Sequence, residues 1–103
     1  MAAETPFEMA CRVAGVTSDG DRKLFEFIWK SAKETVTEVW GVPDMTGRFA
    51  FDFLVARVAA FQMDARGASG DEALMPVAYI DEAFALKKTY AAEVAHEAEE
   101  RRP

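Results

Sequence analysis

His96 and Cys11 are the only histidine and cysteine in this 103-residue chain. Nucleophilic hydrolysis needs a nucleophile held beside a base. His96 would have to be that base, with Cys11 near the other end of the chain and no nucleophile motif around either residue. Glu93-Val94-Ala95-His96 has the Glu-x-x-His spacing that sets two ligands one helical turn apart in di-iron bundles. Such a site takes two of these motifs and two further glutamates, and the chain has one motif. On a helical projection His96 falls toward the polar side, away from Val94 and Ala98, so an exposed histidine among acids is expected.

Other carboxylates lead no further. Asp71-Glu72, Asp81-Glu82 and Glu99-Glu100 are adjacent in sequence, and neighbours point in different directions on a helix, so they make no acid/base pair. Glu34 and Glu38 have the helical spacing by which all-helical nucleotide pyrophosphatases hold magnesium, but a facing helix must supply a matching acidic pair. The run Phe49 to Met63 supplies none. The glycines are scattered and build no phosphate-cradling loop. The sequence therefore predicts no catalytic residue, metal site or cofactor, and a protein that is not an enzyme.

What remains is a set of aromatic and charged residues suited to an interface or a pocket: Phe27, Trp29, Trp40, Phe51, Phe53, Arg57, Asp64 and Lys87. Trp29 and Trp40 lie along the edge of one apolar stripe, as core or interface anchors do. Arg57 and Asp64 share a side of their helix and could form part of a polar seam, or else emerge at the edge of the core or pair with the fourth helix through Lys87, whose aliphatic stem can snorkel among Ala83, Phe84, Ala91 and Val94. Alternatively, Phe51, Phe53, Trp29 and Arg57 would line a small-molecule pocket between the second and third helices.

Four helices must position these residues. Thr5-Pro6-Phe7-Glu8 joins a capping hydroxyl, a proline at the first helical position and an acid three residues after the cap. It starts a short helix that ends at Ala14, with Gly15 as a left-handed stop. Phe7, Ala10, Cys11 and Ala14 share its face. A second helix runs from Arg22, capped by Asp21, to Trp40, with Leu24, Phe25, Ile28, Ala32, Val36 and Val39 as its apolar stripe. Gly41 and Pro43 stop it, and Phe27 points the other way. Asp44 or Thr46 caps a third helix that reaches Arg66 and closes at Gly67. Phe49, Phe51 and Phe53 alternate as a strand would, but the Ala-rich continuation to Met63 is too long for a typical strand. Arg48, Asp52, Gln62 and Arg66 form its polar strip. Ser69 and Glu72 are spaced as a capping box over a short turn, and Pro76 opens a fourth helix reaching about Arg101. The stripe of that helix is Ile80, Ala83, Phe84, Ala91, Val94 and Ala98. The expectation is an all-α, small four-helix bundle-like domain, one short N-terminal helix and three longer ones, spanning 1–103 with disorder at 1–4 and 100–103.

Charge and hydropathy set the remaining bounds. The net charge is −6, and no segment concentrates Lys and Arg as phosphate neutralisation requires, so direct nucleic-acid binding is not expected. Acids gather in the last third, where Asp71, Glu72, Asp81, Glu82, Glu93, Glu97, Glu99 and Glu100 face Lys87, Lys88, Arg101 and Arg102. Such a stretch is a solvated helix face or a docking surface for a protein with a basic surface. One cysteine forms no intrachain disulfide, the first residues lack a signal-peptide pattern, and Asp52 and Arg57 break the most apolar window. A soluble, cytoplasmic chain with no membrane segment is expected. The third helix carries apolar residues around most of its circumference, which points either to a central helix or to burial against a second copy. Together these features predict a non-enzymatic interaction or accessory protein, homodimeric through that helix, presenting an acidic helical face.

Overall fold

A computed structural model describes residues 4–66 and 75–100. Four α-helices, α1 (Pro6–Ala14), α2 (Asp19–Glu34), α3 (Phe49–Asp64) and α4 (Val77–Glu100), make up the described chain, with a π-helical extension of α2 at Thr35–Val39. There is no strand among the described residues, so the Phe49–Phe53 alternation is helical. Among the same residues, no helix is long and apolar enough to cross a membrane.

The start of α1 is the expected capping box. The Glu8 amide donates to Thr5 Oγ1 at 3.1 Å, and the Thr5 amide donates to Glu8 Oε1 at 3.3 Å. Gly15 ends the helix at φ 71°, where a side chain would be strained. Helix α2 begins earlier than expected. Ser18, not Asp21, caps it, and the Ser18 hydroxyl accepts the Asp21 amide. Asp21 therefore sits inside the first turn, where its charge suits the helix N-terminus.

At its C-terminal end α2 widens. Thr35 and Thr37 hydroxyls donate back to the Ser31 and Lys33 carbonyls, and the Trp40 amide reaches Thr35 at 3.0 Å, one residue further back than in an α-helix. The extra residue in this turn rotates the side chains after it about the helix axis. Val39, expected on the buried stripe, is 75% exposed, while Trp40 is half-buried. Leu24, also expected inside, lies on the flank of the face formed by Phe25, Ala32 and Val36 and stays partly exposed. Gly41 then takes the left-handed conformation, as expected.

Helix α3 is the centre of the fold. Phe51, Leu54, Val55, Ala56, Val58 and Ala59 are all buried, with α1 and α2 packed extensively on it and α4 leaning on it more lightly. Most of the apolar residues around α3 are thus covered within the chain, with Phe53, Phe61 and Met63 half-buried and Phe49 and Ala50 exposed. Less apolar surface of α3 is left for a second copy than the pattern of that helix suggests. Neither Asp44 nor Thr46 caps α3. Asp44 instead accepts the Thr46 amide and hydroxyl in a turn ahead of the helix, and Arg48 occupies the cap position without a side-chain bond. The expected stop at Gly67 and the Ser69–Glu72 box lie outside the described residues.

The face α4 turns to the core shares only Ala83 with the expected stripe. Ala83 and Tyr90 are buried, with Tyr79 and Leu86 packed beside them. Phe84, Ala91 and Val94 are exposed. Tyrosines at 79 and 90 supply more contact area than the alanine-rich stripe, which decides which side docks.

Candidate functional site

Helix α4 docks by one face, and that leaves the rest of a 24-residue helix on the surface. Two ion pairs fix its place on α3. Arg48 Nη1 lies 3.0 Å from a carboxylate oxygen of Glu93, and Arg57 pairs with Glu82 in a half-buried contact. The Arg57 guanidinium also lies over the Phe53 ring, 4.4 Å from its centroid, and 5.5 Å from that of Tyr79. The guanidinium thus lies near two rings while Glu82 takes its charge, and a planar arginine can stack and pair at once where a lysine offers only a point charge. No spacing rule links residues on different helices, so the sequence does not mark Glu82.

About a third of a turn round from this docking face, Val77, Phe84 and Val94 remain 68%, 52% and 48% exposed. Ile80 is half-buried and Ala91 exposed between them. Lys87 shares this face, and its Nζ rests close against Gly41, so close that a Cβ there would lie 2.9 Å from it. Beyond lie the exposed acids Glu97, Glu99 and Glu100. His96 is exposed too, its Nε2 2.9 Å from Glu100 Oε1. This apolar face with an acidic end is the most distinctive surface of the described chain.

No protein-family model, curated protein or solved structure matches this chain. The surface must be read from its own chemistry.

The other candidate residues are dispersed. Trp29 packs on Phe7 of α1, ring centroids 5.3 Å apart, and Phe7 in turn stacks on Phe25. Phe51 is in the core, while Phe53 and Arg57 face α4. The four residues proposed for a pocket therefore do not meet in one cavity. A shallow groove of 420 Å³ does border Trp29, but Lys30, Lys33, Glu34, Thr37 and Asp44 complete it. Asp64 and Phe27 are exposed, and Asp64 forms no ion pair with Arg57 or Lys87 among the described residues, so the expected seam is not assembled. Cys11 is buried, and burial pushes its thiol pKa up, which keeps it protonated and a poor nucleophile.

Asp52, expected on a polar strip, is 6% exposed. Both its oxygens lie within reach of the Gly47 amide, at 3.1 and 3.3 Å. Burial raises its pKa, opposed by the Gly47 N–H and the Lys33 charge. An acid whose folded pKa lies above its unfolded value holds its proton more tightly when folded. Its contribution to stability is thus fully present below the unfolded pKa, near 3.8, and is lost as pH rises through the folded pKa. Asp52→Asn keeps one acceptor for Gly47 and removes the charge. Urea titrations of the two proteins at acid and neutral pH should show the balance moving in favour of Asp52→Asn as pH rises. A shift the other way would mean that the ionised carboxylate is the favoured folded form.

Proposed function

We propose that this chain is a non-enzymatic interaction or accessory protein that works as a homodimer and presents an acidic helical face to a protein with a basic surface. The observation that carries this reading is α4. One face of it serves the fold, a second leaves Val77, Phe84 and Val94 uncovered, and its last turns expose Glu97, Glu99 and Glu100. An uncovered apolar stripe on a small domain is the usual mark of an interface, and carboxylates at its end steer a cationic partner and set its orientation more than they add affinity.

Two measurements test it. Sedimentation over a concentration series should give twice the 11.4 kDa chain mass, and a species that stays at the chain mass counts against the homodimer. For the acidic face, the double variant Glu97→Lys/Glu99→Lys should lose a salt-sensitive partner that the wild-type protein captures from its own cell extract. Retention of the same partner by the variant would remove the acidic face from the reading.

A further inference from the structure

The residues of α4 beside its docking face follow a rule of spacing. Val77, Ile80, Phe84, Lys87, Ala91 and Val94 recur at alternating steps of three and four, the spacing that brings a and d positions of a heptad onto one seam. Helix α3 does not cover this seam, because it packs against the side bearing Ala83, Leu86 and Tyr90. A heptad seam that its own chain meets only at the Lys87 tip, against Gly41, and in part at Ile80 calls for another helix.

The seam's charges and sizes select that helix. On its solvent flank stand Asp81 and Lys88, both exposed and neither in an ion pair among the described residues. When two copies of α4 are laid antiparallel so that all six seam residues are matched, Val77 meets Val94, Ile80 meets Ala91, and Phe84 lies on the Lys87 stem of the second copy. Two of these pairings set a larger side chain on a smaller or flexible one, and the outer one joins two valines. In this register Asp81 falls beside Lys88 of the second copy, and the two-fold axis repeats the pair. A slip of one heptad in either direction sets Asp81 against Asp81, or Lys88 against Lys88. A parallel arrangement stacks Lys87 on Lys87 and gives Asp81 and Lys88 no counterpart. Exposed ion pairs add little energy, but like charges in the wrong register are a penalty, and flanking charges choose partner orientation in this way.

We infer that α4 pairs with α4 of a second copy as an antiparallel two-helix seam, centred between Phe84 and Lys87 and held in register by two Asp81–Lys88 ion pairs. This rests on the homodimeric reading above and replaces α3 by α4 as the interface. The acidic ends of the two helices then point in opposite directions, so the dimer offers two separated acidic faces.

Cysteine cross-linking and charge exchange test the pairing, with buried Cys11 as an internal control that should not react. Chains carrying Ile80→Cys should form disulfides with chains carrying Ala91→Cys, and Ile80→Cys alone should not link to itself. In sedimentation, Phe84→Ser should abolish the dimer. Lys88→Asp should weaken it by roughly three- to tenfold, and Asp81→Lys/Lys88→Asp should restore it. A dimer that Phe84→Ser and Lys88→Asp leave intact overturns the α4 seam while the homodimer stands. Ile80→Cys linking to itself overturns the antiparallel direction. A monomer throughout overturns both the seam and the homodimer, leaving the acidic face to be judged on its own partner.

Discussion

Phe25→Ala should cost about 3–5 kcal/mol, a large part of the roughly 5–15 kcal/mol that holds a domain of this kind folded. Phe27→Ala, two positions along the same helix, should change stability by less than about 0.5 kcal/mol. The contrast comes from the direction in which α2 faces. Phe25 is fully buried and stacks on Phe7, with centroids 6.1 Å apart. Phe7 also supports Trp29 and accepts the Arg22 guanidinium over its ring at 5.2 Å. Removing Phe25 leaves a cavity and loosens a cluster that ties α1 to α2. Phe27 is 76% exposed, so its loss takes little apolar area out of contact. Thermal and urea unfolding of the two variants, side by side, measure the difference. Equal losses would mean that α2 is turned differently about its axis.

That the two phenylalanines face opposite ways is legible in the sequence, because both sides of α2 obey one helical period from Ser18 to Glu34. The period fails at Thr35–Val39. Threonine hydroxyls compete there for carbonyls of the preceding turn, and the added residue carries Val39 to the surface. A fixed 100° step has no means of showing this. Capping chemistry at Thr5, Gly15 and Gly41 is equally readable, since each depends on residues within a few positions.

Asp52 and α4 show what local pattern omits. Asp52 looks like a surface acid because its partner is the backbone amide of Gly47, presented by a turn whose shape no side-chain spacing encodes. Helix α4 carries two apolar stripes, and periodicity alone ranks them by hydropathy. The structure buries the stripe with the tyrosines and leaves the more aliphatic one open. The candidate site is therefore the part of the expected core that the fold does not use. The surplus of apolar residues is visible in the sequence, but which helix keeps it exposed is decided by packing.

Packing density also governs the alanines, which a sequence reading values mainly as helix formers. Ala10, Ala56 and Ala59 are fully buried, and α1, only nine residues long, makes its principal contact with α3. Helices can approach closely only where the side chains between them are small. A short helix gains enough contact to stay docked only by such an approach. Ala10→Leu should therefore destabilise the domain by about 1–3 kcal/mol through overpacking, although leucine is nearly as good a helix former as alanine. Ala85→Leu, at an exposed position of α4, provides the comparison and should stay within about 0.5 kcal/mol of wild type. Urea unfolding measures both. If Ala10→Leu matched Ala85→Leu, α1 would have room to spare against α3, and the capping box at Thr5, not close packing, would be what holds the first helix in place.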